Sequence, residues 1–241
     1  MDRQQLAHVL RAACDVSGDP EIVVLGSQAI LGSFDEDELP VEILVSMEAD
    51  LAWLADGPDR ERAERVNGMI GELSQFEATN GYYPEGISVE TAVLPNGWRD
   101  RLQGWPLQAS HPARPLFIDR HDLVVAKLAA NRPKDYVFVS SLAAHGLVDL
   151  EIIRDRVGEL PAGTDARVAA SILSFVDSLP ATSQAHRSAD RDDGTPTMST
   201  QRHLEESAES LALPADRPAP RRRAPQSPDA PDGSRARGTG D

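Results

Sequence analysis

Residues 21–53 read EIVVLGSQAILGSFDEDELPVEILVSMEADLAW, and this stretch decides the predicted fold. The β-branched run Glu21 to Leu25 ends at a Gly-Ser pair, Gly26 and Ser27. Helical spacing follows from Gln28 to Phe34. This order predicts a strand, a tight turn and a helix.

Residues 41–53 predict a second strand, long enough to place alternate side chains on opposite faces. One face then carries the polar residues Ser46, Glu48 and Asp50. The other face carries the apolar residues Val45, Met47 and Ala49. Such a strand has one face on the core and the other on an open cleft.

The rest of the first half alternates between helices and one further strand. Amphipathic spacing predicts a first helix that ends near Ser17 and a later helix that is capped by Asp59. The stretch from Ile87 to Leu94 predicts a strand with Ser88, Glu90 and Ala92 on one face. Cys14 falls on the first helix, where a core position is expected.

From Asp119 onward the pattern is helical throughout. Asp119 has N-cap spacing for a helix that runs to Asn131, and Pro133 begins the next helix, which continues to His145. Two more helices are expected from Asp149 and Thr164. The predicted architecture is α/β, of the α+β type: a small mixed β-sheet core followed by a helical bundle.

Composition divides the chain after Pro180. Residues 181–241 are rich in Pro, Ser, Arg, Asp and Gly, so they bury too little apolar surface to offset their ordering entropy. We expect one domain over residues 1–180, with the sheet-containing core in 1–118 and the helical part in 119–180. Residues 181–241 are expected to be a disordered tail.

Charge and hydropathy exclude some function classes. The net charge of -15 disfavours a broad, nonspecific grip on nucleic acid, although a local basic groove would be compatible with it. Apolar runs fall short of the roughly 20 residues that span a bilayer, and the N-terminus does not have a signal-peptide pattern. We therefore expect a cytoplasmic protein without membrane association.

Three features suggest chemistry. Gly26 and Ser27 stand where a phosphate could be held, although Gly-Ser turns are common in α/β proteins. Glu48 and Asp50 share a strand face and could bind one divalent cation such as Mg²⁺, or could simply be a solvated face. Glu90 could add a third carboxylate, or could be an exposed strand residue.

In order and spacing, Gly26-Ser27 followed by Ser46-Met47-Glu48-Ala49-Asp50 resembles the motifs of the polymerase-β-like nucleotidyltransferase superfamily. The resemblance implies that Gly26 and Ser27 grip a nucleoside triphosphate. It also implies that Glu48, Asp50 and Glu90 hold Mg²⁺ in a site that can take two metal ions. Glu48 replaces the usual first Asp, which leaves a catalytically degenerate nucleotide-binding or regulatory module as the alternative.

A second segment, residues 122–135 (DLVVAKLAANRPKD), looks like the Asp-then-Lys helix of abortive-infection type nucleotidyltransferase toxins. Taken alone, Asp122 could be a capping acid and Lys127 a surface lysine. The resemblance implies that Lys127 contacts the nucleotide phosphates and acts in catalysis, with Arg132 and Lys134 as further nucleotide-binding cations. Leu44 stands where that branch often has an Arg.

Together these features predict transfer of a nucleoside monophosphate from an NTP to an acceptor. The acceptor could be tRNA, a protein or a small molecule, and the resemblance adds a toxin-like role with a cognate antitoxin as partner. A purely structural interaction protein that uses the Arg221 to Arg223 cluster is a further alternative, with less support from charge.

Overall fold

The structure, a computed structural model, describes residues 1–105 and 108–180. Within these residues lie seven α-helices: α1 Arg3–Ser17, α2 Glu61–Ile70, α3 Gln75–Asn80, α4 Arg120–Ala130, α5 Pro133–Ala144, α6 Leu150–Gly158 and α7 Ala166–Ser178. The strands are β1 Glu21–Val24, β2 Glu48–Ala52, β3 Tyr83–Gly86, β4 Gln103–Gly104 and β5 Arg114–Phe117. The predicted disordered tail and the Arg221 to Arg223 cluster fall outside the described residues.

The five strands form one mixed sheet in the order β3-β2-β1-β5-β4. β1 pairs antiparallel with β2 and parallel with β5, and β3 joins β2 in a parallel register. The predicted mixed α/β architecture is confirmed, since a small sheet is followed by helices α4 to α7.

The core forms where the sheet meets the helices. β1 is apolar and buried from Ile22 to Val24, because it is a central strand with neighbours on both sides. In β2 only the alternate residues Ala49 and Leu51, together with Ala52, are fully buried. Cys14 is buried on α1, as predicted.

The predicted strand over residues 41–53 is only partly correct. Its first part is a short 3₁₀ helix, Val41–Ile43, that follows Pro40, and β2 begins at Glu48. Val45 and Met47, expected on the core side, are 68% and 46% exposed. They precede the strand, so the alternation of the strand does not apply to them.

The strand predicted over Ile87 to Leu94 is wrong. Its place in the sheet is taken by β3, and residues Val89–Thr91 form a 3₁₀ turn. Ser88 begins this turn, because its hydroxyl accepts a hydrogen bond from the Glu90 N–H at 3.2 Å. Glu90 is therefore not on a strand beside β2, which was the basis for its predicted role as a metal ligand.

The helix boundaries were predicted mostly from caps. Asp119 caps α4 and Asp149 caps α6, as predicted, and α5 begins at Pro133. α7 is capped by Asp165 instead of beginning at Thr164. Asp59 does not cap α2: the carboxylate of Asp56 accepts hydrogen bonds from the first-turn N–H groups instead.

One buried ion-pair network joins α4 to the loop before β4. Asp122 in the first turn of α4 has no exposed surface, and its two carboxylate oxygens accept hydrogen bonds from Arg101 at 2.8 and 2.9 Å. Arg156 of α6 lies 3.3 Å from the same carboxylate. Asp122 is thus a structural anchor between three segments. Among the described residues, none of the helices has the length and apolar character needed to cross a membrane.

Candidate functional site

Three carboxylates converge at one end of β2 and β3. Glu48 and Asp50 lie on the same face of β2, and the parallel register pairs Asp50 with Glu85 of β3. One carboxylate oxygen from each of the three residues lies within 4.8 Å of the others. We refer to Glu48, Asp50 and Glu85 as the acidic cluster.

The Gly-Ser turn lies directly against this cluster. The Leu25 N–H donates to the backbone carbonyl of Asp50 at 2.9 Å, which fixes the end of β1 beside β2. Gly26 follows with φ +54° and ψ −158°, a backbone conformation that is essentially restricted to glycine. A Cβ atom on Gly26 would lie 1.6 Å from Asp50 Oδ2, so only glycine allows the carboxylate this close.

Lys127 reaches the turn from α4. Its Nζ donates to Ser27 Oγ at 2.9 Å and lies 3.3 Å from Asp135 Oδ1. Its side chain is 5% exposed, and Nζ lies 4.5 Å from the centre of the Phe138 ring. The ammonium is therefore held in place beside the turn.

Asp135 connects Lys127 to a second cation. Its buried carboxylate also accepts a hydrogen bond from Arg132 Nε at 2.7 Å. Arg132 remains about half exposed, so it can face solvent and the site at once.

The structure brings together most of the residues that the sequence suggested: Gly26, Ser27, Glu48, Asp50, Lys127 and Arg132. Lys134 is exposed at the start of α5, with no hydrogen bond or ion pair from its side chain to the described residues. Glu90 is not in the acidic cluster, and the third carboxylate is instead Glu85 of β3.

Two residues of the site carried no sequence signal strong enough to be assigned. Glu85 follows Pro84, and a proline is unfavourable inside a strand, although it is acceptable in an edge strand such as β3. Asp135 belonged to the segment that resembled a toxin motif, but its partnership with Lys127 depends on how α4 and α5 pack.

A comparison with protein families shows which family the chain belongs to. The model of a family described as a nucleotidyltransferase of unknown function (DUF6036) matches residues 4–165. The chain belongs to this family. Comparisons with curated proteins and with solved structures found no match.

In this member of the nucleotidyltransferase family, two carboxyl groups of the acidic cluster have raised pKa values. Burial, followed by the charge of Glu48, raises the pKa of Asp50 to about 6, although the Lys127 charge opposes the shift. A hydrogen bond with Glu48, followed by burial, raises the pKa of Glu85 to about 7. Asp50 and Glu85 therefore lose their protons at a higher pH than ordinary carboxyl groups do.

Lys127 and Asp135, which lie beside the cluster, both have lowered pKa values. Burial lowers the pKa of Lys127, and Asp135 opposes that shift. Burial alone would raise the pKa of Asp135, but the Arg132 hydrogen bond and the Lys127 and Arg132 charges bring it below its usual value. Lys127 and Asp135 are best described as a charged pair.

The residues of the cluster fit a divalent cation. Carboxylate oxygens are the hard ligands that Mg²⁺ prefers, and Mg²⁺ usually takes one or two of them together with substrate phosphates. Besides burial and the hydrogen bond between Glu48 and Glu85, the charges of neighbouring carboxylates raise the pKa values of Asp50 and Glu85, and a cation bound among them would oppose that part of the shift. Glu48, Asp50 and Glu85 are the residues that would hold it.

We predict that Gly26→Ala destabilises the protein by more than about 3 kcal/mol, because it adds a forbidden backbone conformation to a collision with Asp50. Gly18→Ala is the matched control: Gly18 also has a positive φ, +71°, but a Cβ there meets no atom within 4 Å. The control should cost only about 1 kcal/mol. Urea denaturation measures both, and equal costs would contradict the close approach of Gly26 to Asp50.

The acidic cluster also predicts a pH dependence of stability. Both raised pKa values mean that the folded protein binds these protons more tightly than the unfolded chain does. Their contribution to stability is present below the ordinary carboxyl pKa of about 4 and is lost as the pH rises through 6 and 7.

In EDTA, Glu85→Gln should therefore stabilise the protein relative to wild type at pH 8 and have little effect at pH 5. Asp37→Asn, which changes an exposed acid outside the cluster, is the control and should show no such dependence. Urea denaturation at the two pH values measures the difference. The same effect of Glu85→Gln at both would contradict the assigned pKa of Glu85.

Proposed function

We propose that this protein is a metal-dependent nucleotidyltransferase that transfers a nucleoside monophosphate from an NTP to an acceptor. One observation carries the proposal: the acidic cluster, the Gly-Ser turn and the Lys127 ammonium meet at one place. Gly26 touches Asp50, and Ser27 Oγ accepts a hydrogen bond from Lys127 at 2.9 Å. Membership of a nucleotidyltransferase family supports the same substrate class.

Glu48, Asp50 and Glu85 would hold one or two Mg²⁺ ions. When bound, Mg²⁺ neutralises charge on the phosphates and lowers the pKa of an attacking hydroxyl. Glu48 in the first acidic position is compatible with this role, because its carboxylate already lies in the cluster. That observation favours an active site over a degenerate, noncatalytic module.

The Gly-Ser turn and Lys127 would bind the triphosphate. Ser27 Oγ–H can donate to a phosphate oxygen while Lys127 supplies a fixed positive charge next to it. Asp135 helps to keep the Lys127 ammonium beside the turn, since its carboxylate accepts a hydrogen bond from Nζ at 3.3 Å. Arg132 and Lys134 add positive charge at the exposed side of this group.

In the transfer, the acceptor oxygen forms a bond to the α-phosphorus, and the bond from that phosphorus to the bridging oxygen of the β-phosphate breaks. Pyrophosphate leaves with the electrons of the broken bond, and Lys127 stabilises its charge. The proton of the acceptor hydroxyl passes to a carboxylate of the acidic cluster. The step thus needs no further reactant.

The identity of the acceptor and the biological role form the finer part of the proposal. The resemblance to abortive-infection toxins supports a toxin-like role, a cognate antitoxin and tRNA as acceptor. Protein and small-molecule acceptors agree equally well with the geometry of the acidic cluster. The transfer experiment below distinguishes these classes by the fraction in which the label is found.

We predict that purified protein with Mg²⁺ and an α-labelled NTP labels a component of a total RNA, protein and small-molecule extract. In the double variant Glu48→Gln, Asp50→Asn the rate of label transfer should fall at least about 100-fold, because metal and triphosphate are no longer held. The double variant Asp37→Asn, Asp59→Asn has the same charge change at exposed acids and should keep full activity.

No transfer by the wild-type protein, with Mg²⁺-dependent NTP binding retained, would favour the degenerate nucleotide-binding module. Equal activity in the cluster variant and its control would remove the acidic cluster from the reaction altogether.

A further inference from the structure

Tyr83, the first residue of β3, lies beside the acidic cluster. The parallel register of β2 and β3 pairs it directly with Glu48. Pro84 and Gly86 are the buried residues of β3, so Tyr83 shares the other face of the strand with Glu85. The tyrosine side chain therefore stands on the same open face of the sheet as the three carboxylates.

The hydroxyl of Tyr83 differs in its contacts from those of the other two tyrosines. The hydroxyl of Tyr82 lies 2.9 Å from His8 Nδ1, and the hydroxyl of Tyr136 donates to the side chain of Asn131. Tyr83 is half-buried, and its hydroxyl has no hydrogen-bond partner among the described residues. Of the three tyrosines in the chain, Tyr83 is thus the one whose phenol is free to react.

Carboxylates surround this phenol. Burial, followed by the charges of Glu48, Glu72, Glu77 and Glu85, raises the pKa of Tyr83 to about 12. Among these charges, that of Glu48 acts most strongly, which agrees with the pairing of the two residues across the strands. The phenol keeps its proton at neutral pH, and the carboxylates beside it can accept that proton when the oxygen reacts.

The order of the strands gives the site a direction. In an in-line displacement, the attacking oxygen and the leaving pyrophosphate lie on opposite sides of the phosphorus. The proposed function places the pyrophosphate at Ser27 and Lys127, beside the end of β1. Because β2 lies between β1 and β3, the attack then comes from the side of β3. A phosphorus above β2 is one strand spacing, about 4.8 Å, from the strand of Tyr83.

We propose that Tyr83 is an acceptor of the nucleoside monophosphate, so that the protein modifies itself at this residue. The inference rests on the proposed function and adds a modification site to it. The phenol oxygen forms a bond to the α-phosphorus of the NTP held by the same chain, and the bond from that phosphorus to the bridging oxygen of the β-phosphate breaks. Pyrophosphate leaves with the electrons of the broken bond, and the phenol proton passes to the carboxylate of Glu48.

Self-labelling of the full-length protein in the absence of an extract tests the inference. The protein is incubated with Mg²⁺ and each α-labelled NTP, the label per chain is measured over time, and tandem mass spectrometry of peptides locates it. We expect the label to approach one nucleoside monophosphate per chain, on Tyr83. The first-order rate constant should not change over a roughly tenfold dilution of the protein, because the phenol and the NTP belong to one site.

Single-atom changes separate the phenol from its surroundings. Tyr83→Phe keeps the ring and removes the hydroxyl, so self-labelling should fall at least about 50-fold. Tyr82→Phe is the matched control: it removes the neighbouring phenol, which contacts His8, and should label within about twofold of wild type. The double variant Glu48→Gln, Asp50→Asn should lose self-labelling although it keeps Tyr83. Urea denaturation checks that each variant is folded.

The possible outcomes distinguish the inference from the proposed function. Label on Ser27 or on any residue other than Tyr83, equal labelling of Tyr83→Phe and wild type, or label on the cluster variant when it is mixed with wild type would overturn the inference. Transfer to a component of the extract without self-labelling would also overturn it and would leave the proposed function standing. Binding of NTP without transfer to the protein or to the extract would overturn both.

Discussion

The site depends on the antiparallel pairing of β1 with β2, which brings a glycine against a carboxylate. The Leu25 N–H binds the backbone carbonyl of Asp50 at 2.9 Å, and Gly26 then turns away in a conformation that other residues avoid. Without a Cβ at this position, Asp50 Oδ2 occupies the space beside the turn. The Gly-Ser turn and the acidic cluster are thus two parts of one local structure.

The site contains more negative charge than the neighbouring cations offset. Burial, followed by the charge of Glu48, raises the pKa of Asp50, and a hydrogen bond with Glu48, followed by burial and the charge of Glu48, raises the pKa of Glu85. The Lys127 charge opposes the shift of Asp50, but its buried ammonium is also shared with Asp135. A divalent cation bound among these carboxylates would offset their charge, and that is the role the proposed function gives to Mg²⁺.

Local signals made much of this structure predictable. Asp119 predicts the start of α4, because its side chain caps the helix. Glu48 and Asp50 are predicted to share one face of a strand, because residues two positions apart in a strand point to the same side. Glu85 was missed because its strand is defined by pairing with β2, and neither Pro84 nor the sequence around it indicates that partner. Glu90 was expected near Glu48 and Asp50 because Ile87 to Leu94 was predicted to be a neighbouring strand, yet Ser88 begins a 3₁₀ turn there.

The most direct test of the account is the location of Mn²⁺, bound in place of Mg²⁺ together with a nonhydrolysable NTP, by anomalous diffraction from crystals of the protein. The account predicts Mn²⁺ among the carboxylates of Glu48, Asp50 and Glu85, with the triphosphate reaching Ser27 and Lys127. Mn²⁺ bound elsewhere, at Glu90 for example, or an NTP bound away from the Gly-Ser turn, would contradict it.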